Sequence, residues 1–116
     1  MKLSEICELL DCRILWGDDL LDRATDICIA SDLMSDVLAR GCNCPNALLV
    51  TGLANAQAVR TADVADAAGV VFVRGKRPDQ SVVELGREFN IPLLFTQLGM
   101  FDVCARLASK GIQGLC

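Results

Sequence analysis

Short apolar runs alternate with helix-like segments along this chain, and a polar turn ends each run. Four runs share this pattern, at residues 25–30, 47–50, 70–73 and 92–95. Such an order is typical of parallel α/β domains, in which each strand leads into a helix that covers the sheet. The sequence therefore predicts one α/β domain over residues 1–116, with three α/β/α layers and a mainly parallel sheet of four or five strands.

Polar residues and glycines mark the ends of the predicted helices. Ser31 or Asp32 can cap a helix that runs to about residue 40 and stops at Gly41. Asn55 can cap a second helix that runs to about residue 68 and ends at Gly69. Apolar residues at helical spacing predict further helices at 3–10, 81–89 and 100–107, and residues 13–16 have the pattern of a strand.

The composition excludes several classes of function. The net charge is −4 and aromatic residues make up 4% of the chain, so we expect no nucleic-acid partner. The apolar stretch near the start is interrupted by Ser4, Glu5 and Glu8, which is unlike a signal peptide. No run approaches the roughly 18 apolar residues that a membrane span needs. We therefore expect a cytoplasmic protein without a membrane partner.

The chain has seven cysteines and no histidine. Most of the cysteines lie within apolar segments, which in a cytoplasmic protein is typical of reduced thiols that pack as small apolar side chains. Only Cys42 and Cys44, in a loop rich in Gly, Asn and Pro, are spaced like a pair of metal ligands. A metal there would need more ligands from distant segments, so the sequence predicts neither a metal nor a cofactor.

Polar residues follow the predicted strands at one common sheet edge, where open α/β sheets bind ligands. Helix N-termini at this edge offer free N–H groups that suit a phosphate or a carboxylate, and residues 74–77 form the only basic cluster. Helix capping and a solvated turn are the alternative explanations for these residues. The candidate ligand-binding residues are Ser31, Asp32, Thr51, Gly52, Asn55, Arg74, Gly75, Lys76, Thr96 and Gln97.

No group of residues indicates a catalytic site. Because histidine is absent, Ser–His and Cys–His nucleophile pairs cannot form. The basic cluster lacks the Gly-x4-Gly-Lys-Ser/Thr pattern of a P-loop, and Gly52 and Gly75 do not form a dinucleotide-binding pattern. The sequence therefore predicts binding or interaction and no enzyme activity.

Nearly the whole chain resembles the DRTGG domain family. The matching segments are LSEICELL (3–10), LLDRATD (20–26), IASDLMSDVL (29–38), LLVTGLANAQAVRTADVADAAGVVFVRGKRPD (48–79) and IPLLFTQLGMFDVCARL (91–107). The chain departs from the family at the motif that gives the family its name. Asp22 and Arg23 are kept there, but Asp26 and Ile27 stand where glycines are expected.

The resemblance implies a regulatory role and a fold similar to the N-terminal domain of HPr kinase/phosphorylase. Such domains occur beside nucleotide-sensing CBS domains in regulated pyrophosphatases, where they contribute to subunit contacts, within some phosphotransacetylases, and as single-domain proteins encoded near iron hydrogenase components. We therefore predict a non-catalytic regulatory or interaction module that senses a small ligand, with a protein partner from a metabolic or hydrogenase-related system. The alternative is a binding protein for a nucleotide or another small anion, with its site at the carboxyl ends of the strands.

Composition and resemblance both predict a homodimer. The apolar fraction of 53% is more than a small monomer with a large surface fraction needs, and twofold pairing is the commonest way to cover the excess. The candidate contact patches are Trp16 with the arm 20–23, and the helix 32–38 with Met34. The alternative is that Trp16 and Met34 complete the core.

Overall fold

The computed structural model describes residues 1–41 and 44–114. Its elements are α1 (Leu3–Leu9), β1 (Arg13–Trp16), a 3-10 helix (Asp18–Leu20), β2 (Ile27–Ala30), α2 (Met34–Gly41), β3 (Leu48–Thr51), α3 (Ala56–Val64), β4 (Gly69–Phe72), α4 (Gln80–Phe89), β5 (Leu93–Phe95), α5 (Met100–Ser109) and β6 (Gln113–Gly114). Among the described residues, no helix has the length and apolar character needed to cross a membrane.

All six strands belong to one sheet, in the order β1-β5-β4-β3-β2-β6. Strands β2 to β6 run parallel to their neighbours, and β1 pairs antiparallel with β5 at one edge. The predicted α/β class and mainly parallel sheet are confirmed. The predicted strand count of four or five is too low because β6 has only two residues, Gln113 and Gly114, neither of which favours a strand.

Helices cover both faces of the sheet, which confirms the three layers. Leu49 and Phe72 point to the face where α2, α3 and α4 pack. Their neighbours Leu48 and Val71 point to the opposite face, against α1 and α5. Strands β3 and β4 are buried at every position, as expected of parallel strands between two helical layers.

The helix ends agree only in part with the predictions. Asn55 caps α3, because its side chain accepts the Ala58 N–H at 3.2 Å. The helix stops at Val64 and not near residue 68, since Asp66 takes a left-handed conformation with φ of 55°. The predicted cap of α2 is wrong, because Ser31 accepts the Leu33 N–H before the helix begins and Asp32 binds groups on other loops.

The two residues named for a dimer contact differ in burial. Met34, the first residue of α2, is only 2% exposed, and its side chain belongs to the core between α2 and the sheet. It therefore completes the core and is not available to a partner. Trp16 is half-buried on the edge strand β1. Two apolar side chains are exposed in this region, namely Leu33, just before α2, and Leu38, within it.

Gly86 allows α4 to pack directly on β5, and we expect its replacement by alanine to be destabilising. An added Cβ would lie 2.6 Å from Cδ1 of the buried Leu93 and 3.2 Å from the carbonyl oxygen of Ile91. Overpacking of about 1–3 kcal/mol outweighs the gain of up to about 1 kcal/mol in helix propensity. We expect Gly86→Ala to lower the free energy of unfolding by about 1–2 kcal/mol in urea titrations.

Gly114→Ala is the matched control, because no described residue beyond its chain neighbours lies within 4 Å of a Cβ added there. Its free energy of unfolding should stay within about 0.5 kcal/mol of the parent value. A Gly86→Ala variant as stable as the parent would contradict the close packing of α4 on β5.

Candidate functional site

The loops that follow β2, β3, β4 and β5 lie together at the carboxyl edge of the sheet, as their parallel pairing requires. Backbone hydrogen bonds extend beyond the strands and hold the loops in place. Val73 donates its N–H to the carbonyl of Thr51 at 3.0 Å, and Arg74 donates its N–H to the carbonyl of Leu98 at 2.8 Å. The backbone after β4 is therefore held on one side by the end of β3 and on the other by the loop after β5.

One carboxylate joins three of these loops. Oδ1 of Asp32, after β2, accepts the Gly52 N–H at 2.6 Å and the Thr51 hydroxyl at 3.1 Å, at the end of β3. Oδ2 of Asp32 accepts from the Arg74 guanidinium, after β4, at 3.2 Å. We call these four residues, Asp32, Thr51, Gly52 and Arg74, the Asp32 cluster.

Gly52 makes the meeting of Asp32 and Arg74 possible. Strand β3 lies between β2 and β4, so the two charged side chains must approach each other across its end. A Cβ added at Gly52 would overlap the Arg74 guanidinium, which shows that the guanidinium lies directly against the Gly52 backbone. Arg74 and Gly75 have φ of 63° and 66°, and this left-handed pair turns the chain sharply at that point.

Hydrogen bonds favour the ionised form of Asp32. The Gly52 N–H contributes most to holding the pKa of the Asp32 carboxyl below its usual range, and partial burial opposes it. The Arg74 guanidinium and the Thr51 hydroxyl lower the pKa further. At the centre of the cluster, the Asp32 carboxylate is thus an anion that accepts from three donors, and one of these donors, Arg74, is a cation.

Three of the candidate residues make hydrogen bonds within the fold. Ser31 closes a local turn through the Leu33 N–H, and Asn55 caps α3. The buried Thr96 donates its hydroxyl to the carbonyl of Leu10 at 2.6 Å. Its oxygen also accepts the Leu98 N–H, so both functions of the hydroxyl are used within the fold.

The remaining candidates lie beside the cluster and not in it. Gln97 packs over Gly75, where a Cβ would overlap its amide oxygen. Lys76 is exposed on the same turn. The next residue, Arg77, lies over the ring of Phe95 with its guanidinium carbon 5.6 Å from the ring centre, a cation–π contact that the sequence pattern did not reveal.

The cysteines that the structure describes are free thiols, namely Cys7, Cys12, Cys28, Cys44 and Cys104. Burial raises the pKa of Cys12 and of Cys28 to about 12, so both thiols remain protonated at neutral pH. Of the suggested ligand pair, Cys44 is half-buried and Cys42 lies outside the described residues. Within residues 1–41 and 44–114, no group of three or more metal-ligating side chains occurs.

The segment that carries the altered family motif lies at the other end of the sheet. Arg23 donates to the carbonyl of Ala68, immediately before β4, at 3.5 Å. The exposed Asp26 lies 3.7 Å from the amino terminus of the chain. This motif therefore supports the amino edge of the sheet and does not contribute to the Asp32 cluster.

Protonation of Asp32 should weaken the fold at low pH. The pKa of this carboxyl is lowered in the folded chain from 3.8, so its stabilising effect is present above that pH and is lost as the pH falls through the folded value. We expect Asp32→Asn to lower the melting temperature at neutral pH, and the difference from the parent to shrink below about pH 4. Thermal melts across this range measure it, and a difference that does not depend on pH would contradict the assignment.

Comparisons with known proteins agree with this architecture. The DRTGG domain model matches residues 5–109, and no curated protein matches the chain. Among solved structures, the chain is similar to the CBS and DRTGG domains of the regulatory region of Clostridium perfringens pyrophosphatase, complexed with the activator diadenosine tetraphosphate. The TM-score is 0.73 at 13% identity, over 91% of this chain and 45% of the other. The chain belongs to the DRTGG domain family.

Proposed function

We propose that this DRTGG domain is a non-catalytic regulatory module that senses a small anionic ligand at the Asp32 cluster, as a cytoplasmic homodimer. One observation carries the proposal. The Gly52 N–H, the Thr51 hydroxyl and the Arg74 guanidinium converge at the sheet edge, where they donate to the two carboxylate oxygens of Asp32. Backbone N–H, hydroxyl and guanidinium donors are the groups with which proteins bind phosphate and carboxylate.

The surrounding charge favours an anion at this edge. Arg74 begins the only basic cluster of a chain whose net charge is −4, and Lys76 and Arg77 follow on the same exposed turn. Charge-assisted hydrogen bonds are stronger than neutral ones. An anion from solution is therefore attracted more to this turn than to the rest of an acidic surface.

Adenine nucleotides are the first ligand class to test. The structural neighbour is a regulatory region complexed with diadenosine tetraphosphate, and it contains CBS domains as well as a DRTGG domain. This chain spans about 45% of that neighbour. Nucleotide binding belongs to the neighbour as a whole, and for this domain it is a proposal that the comparison supports. A stand-alone nucleotide-binding protein, without a regulatory partner, is the second candidate and uses the same site.

Two features support a module without catalysis. The chain has no histidine, and the single carboxylate at the candidate site is bound by three donors and is thus a poor base.

A regulatory domain acts through a partner, and the family resemblance favours one from a metabolic or hydrogenase-related system.

Replacement of Arg74 should weaken the binding of an adenine nucleotide. Arg74→Ala removes a charge-assisted contact, so we expect a loss of about 1.5–3 kcal/mol in binding free energy. Arg87→Ala is the matched control, because Arg87 lies in the last turn of α4, away from the carboxyl edge. A thermal-shift screen with adenosine mono- and triphosphate and diadenosine tetraphosphate identifies the ligand, and calorimetry measures its affinity.

A screen in which none of these nucleotides raises the melting temperature would contradict nucleotide sensing. Equal affinity of the Arg74→Ala and Arg87→Ala variants would remove the Asp32 cluster as the site.

A homodimer is supported by composition and by two exposed side chains. The chain is 53% apolar, and Leu33 and Leu38 are exposed at the start and in the middle of the α2 region. We propose that a second copy of the chain covers this surface in a twofold contact. Met34, which faces the core, does not take part.

Sedimentation equilibrium at micromolar concentration tests the dimer. We expect twice the chain mass of 12.5 kDa for the parent, and a shift toward the monomer for Leu33→Ser, because a polar side chain in a buried contact is unfavourable. Val64→Ser is the control, since Val64 is exposed on α3. A parent mass of one chain would contradict the dimer.

A further inference from the structure

The donors of the Asp32 cluster are already in use within the fold. Asp32 takes the Gly52 N–H and the Thr51 hydroxyl on one carboxylate oxygen and the Arg74 guanidinium on the other. A phosphate group accepts hydrogen bonds from the same kinds of donor as a carboxylate. An external anion therefore cannot take this position while Asp32 remains there.

We propose that Asp32 is an intramolecular competitor, which a phosphate-bearing ligand displaces from Thr51, Gly52 and Arg74 when it binds. This inference rests on the proposed function, because it assigns the regulation and the ligand class of the same site. The free chain holds the site closed with its own carboxylate.

The competitor can leave without disturbing the core. The side chain of Asp32 is 49% exposed and that of Arg74 is 43% exposed. Asp32 lies in the loop between β2 and α2 and belongs to neither core cluster of the fold. Thr51 and Gly52 are buried, and the carbonyl of Thr51 is held by the Val73 N–H, so two of the donors stay fixed.

Competition with a tethered carboxylate selects the class of ligand. Acetate offers the same two oxygens as Asp32 but binds from solution, whereas Asp32 is held at a high effective concentration by the chain. A phosphate monoester carries about 1.5 to 2 negative charges at neutral pH and three acceptor oxygens. Its pairing with Arg74 is therefore stronger than that of one carboxylate, and phosphate esters displace Asp32 where monocarboxylates do not.

Removal of the competitor should increase the affinity for phosphate. Asp32→Ala frees the three donors, and Asp36→Ala is the matched control, because it removes the same charge from the first turn of α2 and lies outside the cluster. We expect the dissociation constant for inorganic phosphate to be at least about tenfold lower for Asp32→Ala than for Asp36→Ala, since the fraction of open sites rises. Calorimetry measures both values.

Acetate provides a second readout on the same variants. It should raise the melting temperature of Asp32→Ala, because it refills the position of the missing carboxylate, and leave that of the parent and of Asp36→Ala unchanged. If Asp32→Ala does not fold, phosphate is titrated into the parent chain and followed by NMR. The Gly52 amide and Asp32 carboxyl signals should then shift together.

The outcomes separate the competition from the site itself. Equal phosphate affinity of Asp32→Ala and Asp36→Ala, with binding still lost in Arg74→Ala, would overturn the competition and leave the anion site in place. Absence of phosphate binding in the parent and in every variant would overturn both. In the NMR titration, a Gly52 shift without an Asp32 shift, or no shift at either residue, would overturn the competition.

Discussion

Helices cover both faces of β3 and β4, and this two-sided burial decides where polar chemistry can occur in the fold. Every residue of the two strands is buried, and an unpaired polar group in such strands costs stability. Polar side chains are therefore concentrated where the strands end and their loops begin. Thr51 is the last residue of β3, and its hydroxyl is satisfied by the carboxylate of Asp32 from the neighbouring loop.

Asp32 connects loops that the sheet order would otherwise keep apart. Its carboxylate spans the end of β3 to reach Arg74 after β4, across a position where Gly52 leaves room for the guanidinium. The next residue, Leu33, is 59% exposed on the surface that we assign to a second copy of the chain. The proposed displacement of Asp32 thus takes place one residue away from the proposed dimer surface.

Most of the fold could be predicted because burial leaves a clear pattern in the sequence. The apolar runs gave β3, β4 and β5 within one residue or so, and Asn55 marked the start of α3 correctly. Strand β6 was missed because two residues carry no periodicity. The predicted end of α3 near residue 68 is wrong because Asp66, in a left-handed conformation, ends the helix earlier. A single sequence does not show which aspartate takes that conformation.

The candidate site could be placed from the sequence but not assembled. Parallel strands bring their carboxyl ends to one edge, so Asp32, Thr51, Gly52 and Arg74 were all predicted near it. Which of them touch depends on the strand order, and the order β4-β3-β2 was not available from the pattern. The sequence pattern offers Ser31 or Asp32 as a helix cap, because a cap needs only local sequence. The actual partners of Asp32 come from 19 to 42 residues away.

The most direct measurement is a crystal structure of the chain grown with adenosine monophosphate. We expect the phosphate oxygens to accept hydrogen bonds from the Gly52 N–H and the Arg74 guanidinium, with the Asp32 side chain turned toward solvent. A structure in which the nucleotide binds elsewhere, while Asp32 keeps its hydrogen bonds to Gly52, Thr51 and Arg74, would contradict the central claim.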